Sequence, residues 1–116
     1  MTRPSDEHIE IWLNKIRQFA DTLETAYIEL ATAEADVKKT MAILMTQAMA
    51  EGCKTNASQV HFADSRDEMR NARIKVGVCK GNLESIKVNL NYIEKKFEAW
   101  RTKQVNQRAE RKRYGA

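Results

Sequence analysis

Apolar residues recur along the first half of the chain at alternating steps of four and three residues, the spacing of a left-handed coiled coil. Only one charged residue, Glu34, interrupts this row. The row consists of Ile9, Leu13, Ile16, Ala20, Leu23, Tyr27, Leu30, Val37, Met41, Leu44 and Ala48. A second apolar row, spaced by seven, flanks it with Trp12, Phe19, Ala26 and Ala33. A single partner helix cannot bury the whole of this broad apolar face, so we expect a helical bundle.

The first helix is predicted to end at Gly52, because glycine tolerates the positive φ found just past many helix ends. Thr55 or Asn56 then supplies the cap of a second helix. A connection this short usually joins antiparallel neighbours. We therefore predict helix 1 over about 5–51, a turn at 52–55 and helix 2 over about 56–110.

The second half of the chain repeats the three–four spacing around a single row. Its members are Phe62, Ser65, Met69, Ala72, Val76, Cys79, Leu83, Ile86, Leu90, Ile93, Phe97 and Trp100. The pattern then fades, because Gln104, Gln107 and Arg108 occupy the next positions of the row. Two such rows around one turn predict an all-α domain over residues 1–116, folded as a long antiparallel coiled-coil hairpin with Trp12 close to Trp100. Pairing of the two helices between chains, as in a domain swap, is the alternative.

Composition agrees with long helices. Four glycines and one proline in 116 residues leave few helix breakers, and 31% of residues are charged. No tract approaches the roughly 20 apolar residues of a membrane span, and the start of the chain is acidic. We expect no membrane association and a cytoplasmic location. Cys53 and Cys79 are expected to be free thiols.

Residue patterns that carry enzyme chemistry are missing from the sequence. There is no glycine-rich phosphate loop and no CxxC or HxxxH pair, and His8 and His61 lie far apart. The sequence therefore predicts no catalytic residue, no cofactor and no metal site, and a protein that is not an enzyme.

Gly77 and Gly81 lie four residues apart inside the second helix, where each costs about 1 kcal/mol relative to alanine. They either form a small-residue face for another helix or are tolerated weak points. Trp12 and Phe19 add apolar surface that one hairpin cannot cover, so we expect a homo-oligomer. The packing and oligomer positions are predicted to be Trp12, Phe19, Gly77, Gly81, Leu83, Leu90 and Trp100.

Charge is distributed unevenly along the chain. Residues 1–36 carry three basic and eight acidic side chains, whereas residues 95–116 carry eight basic and two acidic ones. The basic end either pairs with the acidic first helix or binds phosphate groups, with Tyr114 as a stacking surface. The predicted nucleic-acid-binding residues, in the basic C-terminal end at 101–116, are Arg101, Lys103, Arg108, Arg111, Lys112 and Arg113.

In outline the chain resembles the small all-helical recombination mediators of bacteriophages, the UvsY type. The resemblance rests on the end of the first helix at 48–52, the capped restart at 55–57 and the ending at 97–101 with its basic tail. It implies an oligomer that holds single-stranded DNA, helps displace the single-strand-binding protein and loads a recombinase. If the protein is phage-encoded, the expected location is the cytoplasm of a bacterial host cell.

A coiled-coil adaptor or virion assembly protein without a nucleic-acid role is the alternative function. In that case the basic tail only completes a helical bundle.

Overall fold

The computed structural model describes the backbone of residues 4–113 and the side chains from Glu7 to Arg113. These residues form three helices and no strand: α1 (Pro4–Ala50), α2 (Asn56–Asp64) and α3 (Asp67–Arg113). The predicted fold class, an all-α antiparallel helical hairpin, is confirmed. The first helix matches its predicted bounds to within one residue.

The turn after α1 forms as the sequence predicts. Gly52 has a φ of 99°, and the backbone N–H groups of Gly52 and Cys53 donate to the carbonyl oxygens of Met49 and Ala48 at 3.1 and 2.9 Å. These two bonds satisfy carbonyls at the end of α1 in a Schellman motif. Thr55 then caps α2, because its Oγ1 accepts from the N–H of Ser58 at 3.1 Å.

The prediction of one continuous second helix is wrong. The α-helix is interrupted at Ser65 and Arg66, which form a turn between α2 and α3. Ser65 Oγ donates to the Phe62 carbonyl at 2.7 Å, and such local bonds from serine compete with the helix. Asp67 and Glu68 then place acidic side chains in the first turn of α3, where they favour a new helix start.

The chain divides into two compact units. The turn unit comprises Glu24–Glu84, and the terminal unit comprises α1 as far as Leu23 with α3 from Ser85 onward. The core of the turn unit includes residues from both sides of the break between α2 and α3. Its buried members are Leu44, Ala63 and Met69, with Val37, Met41, Met45 and Ala72 packed against them. Ser65, predicted to lie in the apolar row, is exposed, and Ala63 takes its place.

Aromatic rings form the core of the terminal unit. The Trp12 ring packs edge-to-face against Phe97 and Trp100, with centroid distances of 5.7 and 5.6 Å. Edge-to-face pairs of this kind are favourable because the ring edge is positive and the face negative. The predicted proximity of Trp12 and Trp100 is therefore confirmed.

The apolar row that α1 buries differs from the predicted one. Leu13, Ala20, Tyr27 and Glu34 are exposed, whereas the residue before each of them is buried or half-buried: Trp12, Phe19, Ala26 and Ala33. Trp12 and Phe19 bury more apolar area than Leu13 and Ala20 would. The observed choice also keeps the Glu34 carboxylate in water, where its charge is solvated.

The apolar row of α3 was predicted correctly. From Met69 to Trp100 every predicted position is buried or half-buried, including Leu83 and Leu90. At the next positions Gln104 and Gln107 are half-buried as well, whereas Arg108 is exposed. The packed face of α3 therefore extends beyond its last large apolar residue.

Candidate nucleic-acid interface

The last turns of α3 belong to the terminal unit and remain helical as far as Arg113. Gln104 and Gln107 are half-buried, and the segment is rich in arginine, lysine and glutamine, which are good helix formers. Arg111, Lys112 and Arg113 occupy the final turn, where positive charge is favoured by the helix dipole. The basic segment is thus a preformed helix.

All six predicted nucleic-acid-binding residues are exposed on this helix. Arg101, Arg108 and Lys112 follow one another at steps of seven and four, so they share one face of the helix. We call these three residues the basic row. Arg111 follows Gln107 on the line of the packed face. Lys103 and Arg113 lie on other parts of the helix surface, so the structure brings three of the six together.

Among the side chains that the structure describes, none forms an ion pair with these cations. The recorded pairs join Arg66 to Glu51 at 3.8 Å and Arg73 to Asp64 at 2.6 Å, and both lie in the turn unit.

A shallow, open groove adjoins the basic row. Glu98, Arg101, Thr102 and Val105 line it. Glu98 lowers the net positive charge around Arg101, whereas Val105 adds an exposed apolar contact. The groove offers a guanidinium fork, which suits phosphate oxygens.

Tyr92 and Lys96 were missed by the sequence reasoning. Tyr92 is 59% exposed, and the Nζ of Lys96 lies 4.9 Å from the centre of its ring. With Lys103 these residues are spaced by four and seven, which places an aromatic ring and two cations on one face of α3. That spacing was visible in the sequence. The predicted aromatic, Tyr114, lies outside the described residues.

The turn unit also contains basic side chains that the prediction omitted. Lys38, Arg73 and Lys80 line one groove together with Glu34. Arg73 is already bonded to Asp64 at 2.6 Å, and Glu34 adds a negative charge. This groove is therefore a weaker anion site than the basic row.

The predicted packing positions have mixed outcomes. Trp12 and Phe19 do not form an outward row for a partner chain, because they face the inside of the hairpin. Gly77 and Gly81 are exposed, and a Cβ added at either would meet no atom within 4 Å. No helix of the same chain therefore approaches them closely.

Cys53 and Cys79 are free thiols, as predicted. Among residues 7–113 there is no group of three His, Cys, Asp or Glu side chains arranged to hold a metal ion. None of the helices, as far as the structure describes them, contains an apolar stretch long enough to cross a bilayer.

Comparison with known proteins adds no relative: no family model, curated protein or solved structure matches this chain.

Proposed function

We propose that this chain is a non-enzymatic accessory protein of DNA recombination that binds single-stranded DNA through the C-terminal part of α3. Its role would be that of the phage recombination mediators it resembles, with a recombinase or single-strand-binding protein as further partners. The observation that carries the proposal is the exposed basic row, whose cations form no recorded ion pair within the described residues.

Backbone contact fits this surface better than base reading. Arginine presents a planar fork that matches phosphate geometry, and attraction to phosphates is independent of sequence. The basic row contains no aromatic residue. Tyr92, the exposed aromatic nearby, already has Lys96 against its ring. We therefore propose that the basic row follows the phosphates of a single strand.

The test measures the affinity of the full chain for a fluorescent single-stranded oligonucleotide over a range of salt concentrations. Each phosphate contact adds about 0.7 to the slope of log affinity against log salt for single strands. The triple variant Arg101→Gln, Arg108→Gln and Lys112→Gln should therefore bind more weakly, with a slope shallower by about 2.

A matched control removes three exposed cations of the turn unit, Lys38→Gln, Lys39→Gln and Lys54→Gln. It changes net charge equally but leaves the basic row intact, so its slope should stay close to that of the unmodified chain. Equal losses in the two variants would show a non-specific charge effect and contradict the proposed site. Absence of binding by the unmodified chain at low salt would refute nucleic-acid binding altogether.

Tyr92→Ser separates backbone contact from stacking. Stacking on an aromatic ring contributes about 1–3 kcal/mol per base, so a stacked strand would lose affinity at least several-fold. Backbone contact through the basic row predicts an affinity within about twofold of the unmodified chain.

A coiled-coil adaptor or assembly protein is the second candidate. Exposed apolar side chains on both long helices, such as Ile28 and Val78, favour it. This candidate predicts self-association or partner binding with no affinity for the oligonucleotide.

A further inference from the structure

In the turn unit, α1 has an apolar face that the hairpin leaves exposed. Ile28, Ala31 and Ala35 follow one another at steps of three and four and are all exposed. Ile28 is 59% exposed. This outer α1 face lies opposite the face that buries Ala26 and Ala33, and Glu24 and Thr32 flank Ile28 one turn before and after it. Its apolar residues are therefore available to a further neighbour.

The outer face of α3 in the same unit is apolar and includes two glycines, which have no side chain. Ile74 and Val78 are 52% and 66% exposed, and Gly77 and Gly81 lie beside them with open space in front of each Cα. Two glycines on one helix face allow another helix to approach closely. Each also weakens an isolated helix by about 1 kcal/mol relative to alanine.

Charges around these two faces are opposite in sign. Residues 24–36 of α1 contain four acidic and no basic side chains, whereas residues 70–83 of α3 contain four basic and no acidic ones. Pairing α1 with α1 of a second copy would bring two acidic runs together, and pairing α3 with α3 would bring two basic runs together. Only α1 against α3 juxtaposes unlike charges, and like charges in such positions are repulsive.

We propose that the outer α1 face of one copy packs against the outer α3 face of a second copy, with Ile28 over Gly77 and Gly81. This contact is heterologous, since each copy contributes a different face. Every copy keeps one face of each kind for a further neighbour, so the contact generates a ring or an open row of hairpins. The proposal does not depend on DNA binding.

The experiment measures the mass of the full chain in solution, without DNA, by analytical ultracentrifugation. The unmodified chain should sediment as two or more copies, and its mass should fall as salt screens the flanking charges. Ile28→Lys puts a cation opposite the basic run, and Val78→Glu puts a carboxylate opposite the acidic run. Each variant alone should have the mass of one chain.

Mixing the two variants tests the heterologous geometry. Each variant keeps the face that the other has lost, so an equimolar mixture should associate again. An α1–α1 contact would be abolished by Ile28→Lys but not by Val78→Glu. An α3–α3 contact would be abolished by Val78→Glu but not by Ile28→Lys. Either of those patterns, a monomeric unmodified chain, or a mixture that stays monomeric would overturn the proposal.

Two matched controls guard against general charge effects. Ile11→Lys makes the same change on α1 at a residue that is 49% exposed and outside the acidic run. Val105→Glu makes the same change on α3, outside residues 70–83. Both should assemble like the unmodified chain, and loss of assembly in either would count against the proposed faces.

Gly77→Leu provides a variant that cannot fail by unfolding the helix. Leucine is a better helix former than glycine, and its Cβ would meet no atom within 4 Å in the single hairpin. It should block the approach of Ile28 and reduce the assembled fraction while helicity is kept. Unchanged assembly would place the contact elsewhere. The basic-row variant should assemble normally, so failure of this proposal is distinguishable from failure of DNA binding.

Discussion

Ala33 and Glu34 are neighbours in α1 with opposite environments. Ala33 is 1% exposed, whereas Glu34 is exposed. Rotating the helix by one residue would bury the carboxylate, and an unpaired buried charge is strongly unfavourable. The small methyl group of Ala33 instead contributes to a tightly packed contact. One pair of residues thus accounts for much of the rotation of α1 about its axis.

Replacing Ala33 with leucine should reduce the free energy of unfolding by about 1–3 kcal/mol, because the added methylenes overpack a filled site. Glu34→Leu is the matched change one position later, on the surface, and should alter stability by less than about 0.5 kcal/mol. Chemical denaturation of the two variants provides the measurement. The reverse order of effects would support the row first predicted from the sequence.

The two long helices differ in how far their packing can be predicted. In α3 one apolar row stands alone, and its positions from Met69 to Trp100 followed directly from spacing. In α1 the row with Trp12 and the row with Leu13 lie side by side, and both are apolar except at Glu34. Spacing along one helix cannot choose between them, because the choice depends on which side chains fit against α3.

The break between α2 and α3 was also missed. Asp64, Ser65 and Asp67 are residues that favour helix ends and starts, and Glu68 adds the acidic first turn. Ser65 was instead placed in the apolar row because it fell at the expected interval. A sequence signal for the break was therefore present and was outweighed by the periodic pattern.

Thr55 is expected to make a measurable contribution to the turn. Its side chain and that of Ser58 cap each other's backbone N–H groups, at 3.1 and 3.2 Å. Thr55→Ala should lower the free energy of unfolding by about 1 kcal/mol. Thr46→Ala is the control, because Thr46 lies inside α1 and bonds only back to Ala42 within the helix. It should be neutral or slightly stabilising, since alanine is the better helix former. Thermal unfolding of both variants distinguishes the two effects.

At the scale of the whole molecule, helix formation depends on the hairpin. Long helices in proteins are stabilised mainly by packing of an apolar face. The described residues contain few large side chains that are fully buried. Each buried position in the contact between α1 and α3 therefore carries a considerable share of the stability.

Leu83→Asp should destabilise the chain by about 4 kcal/mol or more, because it places an unpaired charge in the packed face. That is comparable with the total stability of a small domain, so far-UV circular dichroism should show a large loss of helix. Val88→Asp makes the equivalent change at an exposed residue of the same helix and should retain the helical signal. A Leu83→Asp chain with full helicity would contradict the hairpin.

The candidate site was predictable in composition and only partly in arrangement. All six nominated cations are exposed as expected, because a charged side chain is more stable in water than in a packed contact. Their division into the basic row and outlying residues became clear only because α3 stays helical to Arg113. Tyr92 was overlooked because it precedes the basic segment.

The packing of Trp12 on Trp100 has a consequence for how the molecule can be observed. These are the two tryptophans of the chain, and both lie in the terminal unit. Tryptophan emission therefore reports on that unit alone, whereas circular dichroism sums over all three helices. Recording both signals during one titration with denaturant gives the terminal unit its own optical readout. Coincident curves mean that the two units unfold as one cooperative system, and separated curves mean that they do not.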